Sequence, residues 1–375
     1  MVVFLFMSLL FGYIYEDADS LLVDNDTLTI CGNHQYICKV HLRNRGQLFV
    51  RAATGATDST GWLALDAPWI FITDSSSING SERGCKGAYT NSHPWGYGPG
   101  GGSAGGVSGG GGGGGAYGGS GGNGGDYYGG AGGIVYGDSV DTLNNMGSGG
   151  GAGRLSVVDG AGGNAGAAIS IRGDLIEIDY SKIITDGQTG VDGSVEAGGG
   201  GAGGGLIIWA DTIRMHSCSL SANGGNGGNT MGFGGGGGAG GGRIKVLFSF
   251  SLDTLDIFYS VQGGAAGLGD TNLPISTPGN AGTIHIGTFT GFAELIRERA
   301  TLLSITPNPV RNILKIGIEI TPARVSIYDC TGRLIKKLWL QNIRQSIDLS
   351  ELAQGIYFLE FDNRPSETHK IVKIE

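Results

Sequence analysis

Four residues near the N-terminus have the chemistry of metal ligands. Cys31, His34, Cys38 and His41 form C-x2-H-x3-C-x2-H, and thiolate and imidazole are donors that zinc favours. On a strand, a spacing of three puts successive members on opposite faces, and the segment has no turn-rich knuckle. Ordinary satisfied or exposed strand residues are therefore the better reading. Cys31 and Cys38 are also close enough in sequence to pair, although five cysteines scattered over the chain make no disulfide framework. Gly121 to Gly129, GGNGGDYYG, fits a single calcium-binding nonapeptide. Such ions sit between consecutive copies and the next nine residues lack the Asp, so one copy makes no site. Trp95, Tyr97, Tyr117, Tyr127, Tyr128 and Tyr136 have two uses open to them: stacking on sugar rings or packing onto a glycine-rich scaffold. These residues together call for no metal and no cofactor.

The elements that must position them repeat. Shifting the stretch GLIIWADTIRMHSCSLSANGGNGG (Gly205 to Gly228) back by 37 residues lays Leu206 on Ile169, Ile208 on Ile171, Asp211 on Asp174, Ile213 on Ile176, Met215 on Ile178, Leu220 on Ile183 and Gly224 on Gly187. A third copy follows after a slip of one or two residues, with Ile244 and Val246 continuing the first apolar pair and Val261, Gly263 and Gly264 the closing one. A fainter fourth lies upstream at Leu63, Leu65, Ile70, Ile72 and Ile78. Before it, Leu28/Ile30, Val40/Leu42 and Leu48/Val50 alternate in the same way. Period two is strand spacing, and short strands recurring at this interval predict a stacked parallel architecture.

Asp174 and Asp211 would then stand one strand spacing apart, about 4.8 Å, within working distance for a general acid and a nucleophile. Their equal places in the repeat favour a structural turn role. No Lys, Arg or His recurs beside them, so an enzyme is the lesser reading and no catalytic residue is assigned.

Glycine is the abnormal component: 58 of the 77 lie between Gly96 and Gly242, with no Gly-X-Y register, which excludes collagen. By composition this region is a flexible linker. By position it interrupts an array that must stack across it. A bundle of extended polyglycine strands, close to polyproline II in dihedral angles, would order it through backbone hydrogen bonds; mobile loops are the alternative. A net charge of −9 with 15% charged residues excludes a nucleic-acid partner. Residues 2–15, VVFLFMSLLFGYIY, are the right length for a signal-peptide core and short for a membrane span, although no Lys or Arg precedes them.

Residues 304–375 change character, holding three Gly and ten Lys/Arg against eight Asp/Glu. Alternation at Ile313/Ile316/Ile318, Val325/Ile327, Leu334/Ile335/Leu338/Leu340, Ile347/Leu349, Ile356/Phe358/Phe361 and Ile371/Val372/Ile374 predicts six or seven strands in a compact β-sandwich. Pro307 and Pro309 bar a helix and lead an extended linker into the first strand. Gly332 and Gly355 supply turns.

Two resemblances follow from these strings. GGIVYGDSVDTLNNMGSGGGA and SANGGNGG, within roughly residues 25–290, resemble the glycine-rich β-helical regions of large bacterial surface proteins. Pro307-Asn308-Pro309, Leu314 and Ile316, Tyr328-Asp329, Gly332-Arg333, Leu349 and Leu352, Gly355 and Tyr357, and Lys370 with Lys373 resemble the C-terminal sorting domain of the type IX secretion system, type A. Thr306 stands where an aromatic often precedes the Pro-Asn-Pro. The second resemblance implies the outer-membrane secretion machinery as partner and an extracellular or cell-surface location.

The expectation is thus an all-β chain. It comprises a signal peptide (1–19), N-terminal β-helical coils (20–95), a glycine-rich right-handed parallel β-solenoid (96–286), a linker (287–303) holding a turn or two of helix around Phe292 to Arg299, and the sorting β-sandwich (304–375). The passenger is expected to be a structural or adhesive module with a surface glycan or a host or environmental surface as partner. A carbohydrate-active β-helix enzyme, of the lyase or hydrolase kind, is the alternative.

Overall fold

The protein is described by a computed structural model covering residues 12–54, 60–89, 92–107, 109–140, 143–154, 159–288, 304–306, 308–317, 323–340, 344–361 and 364–374. Every regular element among them is a β-strand. The chain divides into two compact units, Met1–Thr290 and Gly291–Glu375. The expected helical turn at Phe292 to Arg299 lies outside the described residues.

In the first unit the strands before the glycine-rich stretch are β1 (Tyr13–Glu16), β2 (Ser20–Asp24), β3 (Thr27–Ile30), β4 (Gly32–Gln35), β5 (Lys39–Arg43), β6 (Gln47–Val50), β7 (Trp62–Asp66), β8 (Trp69–Ile72) and β9 (Ser77–Asn79). Those after it are β10 (Ala168–Asp179), β11 (Lys182–Ile184), β12 (Gly205–His216), β13 (Ser219–Ser221), β14 (Arg243–Leu255), β15 (Phe258–Ser260) and β16 (Thr283–Thr288). They form two sheets. A ten-stranded one runs β1-β2-β5-β8-β10-β12-β14-β16, with β4 and β7 beside it, and a six-stranded one runs β15-β13-β11-β9-β6-β3. All pairings in both are parallel except β1 with β2.

The register follows the 37-residue repeat: Ile169 pairs with Leu206, Ile176 with Ile213, Ile178 with Met215 and Ile183 with Leu220. The faint upstream copy is the direct neighbour, since Leu63, Leu65, Ile70, Ile72 and Ile78 pair with Ile169, Ile171, Ile176, Ile178 and Ile183. Like falls beside like, so one apolar column grows strand by strand, and all these side chains sit in a single buried cluster. The third copy follows with the expected slip: Leu206 pairs with Ile244, one residue beyond the 37-residue interval, and Ser221 with Ser260, two beyond it. A bulge between Ala210 and Thr212 adds the second residue of the slip, and Leu220 pairs with Tyr259, which lays Val261 on Ala222. Residues 1–11 of the expected signal segment lie outside the described residues, while Tyr13–Glu16 form β1 on the edge of β2.

The glycine-rich segments form no sheet, yet their backbone is tied together by hydrogen bonds. From Gly111 to Ala116 the N–H groups donate in turn to the carbonyls of Gly125, Ala197, Ser103, Gly122, Gly200 and Gly100, at 2.8–3.0 Å. The corresponding carbonyls accept from Gly130, Gly237, Gly151, Gly133, Gly240 and Ser148. Partner segments recur every third residue: 125 and 122, 197 and 200, 103 and 100. That is the three-residue turn of a polyproline II helix. One such segment therefore has six neighbours, three reached by its N–H groups and three by its carbonyls. Segment 197–204 repeats the pattern, donating to Gly234, Val191, Gly151, Gly237, Gln188, Ser148, Gly240 and Thr185. This is the ordered bundle, and mobile loops are not what these residues form. Glycine is obligatory here because a Cβ on any of Gly111 to Gly115 would come closer than 3.0 Å to a neighbouring backbone carbonyl.

The Asn residues of SANGGNGGN sit one per turn on one side of such a helix. Asn223, Asn226 and Asn229 accept, through Oδ1, the N–H groups of Gln262, Ala265 and Leu268 at 2.8–2.9 Å. One repeat earlier, Asp186 and Asp192 accept from the N–H groups of Asn223 and Asn229. Where the bundle ends, side-chain oxygens replace the missing carbonyls.

The second unit has a three-stranded antiparallel sheet of β17 (Ser304–Thr306), β18 (Ile313–Gly317) and β21 (Arg344–Asp348). A four-stranded one comprises β19 (Ala323–Asp329), β20 (Leu334–Leu340), β22 (Gly355–Phe361) and β23 (Arg364–Lys373). Both contribute to one core of Leu314, Ile316, Val325, Ile327, Ile347, Leu349, Leu359, Phe361 and their neighbours. Two expectations are corrected. The prolines follow β17 instead of preceding the first strand, because Ser304–Thr306 already pairs with β18. In β22 the inward phase is Tyr357, Leu359 and Phe361, while Ile356 is exposed.

Candidate functional site

The sorting-motif residues fall into three places in the second unit. At its start, Asn308 clamps the last strand: its Nδ2 donates to Lys370 O at 2.9 Å and its Oδ1 accepts Val372 N–H at 3.0 Å. Val310, just past Pro309, exchanges backbone hydrogen bonds with Val372 and Ile374. Pro307 lies outside the described residues. Lys370 is exposed, whereas Lys373 is buried and its Nζ donates to Ile374 O at 3.0 Å.

The second place is the turn after β19. Asp329 Oδ1 accepts from Thr331 Oγ1, Thr331 N and Arg333 N, and Oδ2 from Arg333 Nε at 3.0 Å. Gly332, at φ 83°, supplies the left-handed residue the turn requires. The Thr331 hydroxyl, ahead of the other donors, holds the Asp329 carboxyl down to about 2. Tyr328 and Asp329 pair with Phe358 and Tyr357 on β22.

The third place is the core. Leu314, Ile316 and Leu349 are fully buried or nearly so, and Leu352 packs against them. Gly355 begins β22, and Tyr357 is buried with its hydroxyl donating to Ala353 O at 2.9 Å. Motif residues thus tie the first and last strands together, fix one turn and fill the core. They bring no nucleophile or general base together.

Residues 304–375 match the secretion system C-terminal sorting domain family. The sorting domain addresses the chain to the type IX secretion machinery, and so to export. No match was found among curated proteins or solved structures.

In the first unit the sequence candidates disperse. Cys31 and Cys38 are both free thiols. His34 hydrogen-bonds Cys31 O at 3.1 Å and approaches Glu16 at 3.6 Å, while His41 packs edge-on against Phe71. Burial pushes the His41 imidazole below its usual range. Among the described residues no group of three or more His, Cys, Asp or Glu is placed to hold a metal ion. Asp126, from the nonapeptide, lies in a turn between two glycine segments, where its carboxylate accepts Tyr127 N–H. Asp174 and Asp211 flank the parallel pairs Gly173/Ala210 and Leu175/Thr212, so they hold equal places on adjacent strands.

The aromatic residues divide between buried and exposed places. Tyr117 is fully buried, 5.0 Å from Tyr136 and beneath the Arg243 guanidinium at 5.4 Å. The Tyr136 hydroxyl donates to Met146 O and accepts from Ser148 at 3.0 Å, and burial raises its pKa. Arg243 and Lys245, both buried on β14, donate to the carbonyls of Tyr136, Gly137 and Leu143. Trp95, Tyr127 and Tyr128 stay on the surface, and Tyr97 stacks with His93 at 4.4 Å. Arg243 and Lys245 were not singled out by sequence; the signal available was their alternation with the core residues Ile244 and Val246.

Proposed function

We propose that the chain is a secreted, surface-directed structural or adhesive protein. In this reading the first unit is a glycine-rich right-handed parallel β-solenoid carrying a polyglycine bundle, of the kind its strings resemble in large bacterial surface proteins. Residues 1–19 act as its signal segment, and their removal frees the edge of β2. The single observation that carries the passenger role is segment 111–116, hydrogen-bonded through its backbone to six neighbours. Such a body is stiffened by interlocked backbone and has little room for moving parts, which suits a scaffold held outside the cell.

Deleting residues 304–375 is expected to leave the first unit folded but retained in the cell envelope of a bacterium with a type IX system. Immunolabelling of intact cells checks this, and normal surface display of the truncated chain would sink the sorting assignment.

A further inference from the structure

β6 and β9 lie side by side with Phe49 opposite Asn79. Leu48, Val50 and Ile78 are fully buried, so Phe49 and Asn79 face outward. Beyond Asn79 the chain turns sharply. Ser81 N–H donates to Asn79 Oδ1 at 2.9 Å, Glu82 takes a left-handed φ of 61°, and the Arg83 guanidinium comes to lie 5.8 Å over the Phe49 ring. Asn164 closes the far wall, its Oδ1 accepting Gly87 N–H at 3.1 Å. The result is an open groove of about 430 Å³, the size of a small-molecule site.

We infer that this groove binds a neutral oligosaccharide. The inference deepens the adhesive reading above and rests on it. Both asparagines spend their Oδ1 on backbone N–H groups, which turns their amide nitrogens toward use as donors. Glu82 adds an exposed carboxylate acceptor, and Arg83 a planar fork of donors. A carboxylate beside a guanidinium and two amides matches vicinal hydroxyls, each of which donates and accepts. The Phe49 ring, with the Arg83 guanidinium 5.8 Å from its centroid, offers an apolar wall to a sugar face. Glu82 and the net charge of −9 disfavour an anionic polymer. A peptide adding as an extra strand finds no edge here, because β6 and β9 are each paired on both sides.

The test uses the full chain and titrates it calorimetrically with maltotetraose, cellotetraose, xylotetraose and mannotetraose, with tetragalacturonate as the anionic probe. The expected result is a Kd tighter than about 1 mM for at least one neutral probe, weakened about tenfold or more in Glu82→Gln and Arg83→Ala. In the wild-type chain the side-chain amide resonances of Asn79 and Asn164 should shift with the same probe, a readout independent of how the variants fold. Binding by no neutral probe, binding by tetragalacturonate alone, or loss in Trp95→Ala with the groove variants unaffected would each overturn the assignment. A groove that binds nothing on a chain that is exported and folded removes this inference and leaves the sorting and scaffold reading standing.

Discussion

The two halves of the first unit solve the same packing problem with opposite materials. The parallel sheets bury branched side chains in columns, with Ile176 on Ile213 and Ile183 on Leu220, and their cohesion is the removal of apolar surface from water. The glycine bundle buries backbone: six neighbours surround segment 111–116, and its cohesion is saturation of N–H and C=O groups. Side-chain columns yield to a lost methyl group, because neighbouring rotamers can adjust. A lattice of backbones in mutual contact has no rotamers to adjust. The bundle is thus expected to be the more brittle half, although its sequence is the simpler.

The sharpest way to break that contrast is Gly113→Val. Its Cβ would meet Ala131 O closer than 3.0 Å, and each buried group left unpaired costs about 1–3 kcal/mol. Several neighbours must shift, so the unit is expected to lose most of its thermal stability. Amide exchange from 109 to 116 should be slow in the wild-type chain. Gly32→Val is the control, with open space around the added atom and a cost limited to its φ of 91°, about 1–2 kcal/mol. Equal, small changes in both variants would make the bundle no tighter than a surface loop.

The sheet half is probed at Ile213, which is fully buried. Ile213→Asp is expected to cost several kcal/mol through a buried, unpaired carboxylate, while Ile213→Val should cost about 1 kcal/mol. Denaturant unfolding checks both, and near-identical midpoints would place this side chain outside the column.

A smaller effect is expected where a charge enters the bundle. Glu196 is 2% exposed, and one of its carboxylate oxygens has no hydrogen-bond partner. Burial, ahead of the opposing Arg154 charge, raises its pKa above the ordinary 4.5. A raised carboxyl favours folding while protonated, so stability is fully present below pH 4.5 and declines as pH climbs through the folded value. Glu196→Gln should remove that decline and raise the melting temperature at neutral pH. A variant whose melting temperature falls at pH 7 would contradict it.

The smallest effect belongs to the sorting domain. The Asp329 carboxyl is depressed to about 2, so its contribution is complete above pH 3.8 and fades as pH falls toward 2. Asp329→Asn should flatten the acid limb of the second unit's unfolding in that window alone. An unchanged limb would show that the turn hydrogen bonds carry no net weight.

Sequence by itself determined the column register, the all-β class and the sorting domain, because each is written in side chains at local spacing. Ile176 and Ile213 find one another through identical places in a 37-residue repeat, and the Pro-Asn-Pro to Lys373 string is a pattern in chain order. Polyglycine holds no such record. Nothing in GGGGG names its partners, so only the tertiary structure decided that Gly112 meets Ala197 and Gly113 meets Ser103. The same holds for Tyr117, buried while Tyr127 is exposed, and for the inward phase of Tyr357, Leu359 and Phe361, which alternating apolar residues on both faces leave open. The period-three asparagines are plain in SANGGNGGN, but their task depends on a neighbouring helix presenting N–H groups at the same rise. The groove of Phe49, Asn79, Glu82 and Arg83 needed the fold as well, since residues some thirty apart, and Asn164 further still, become neighbours only once β6, β9 and the glycine segments have stacked.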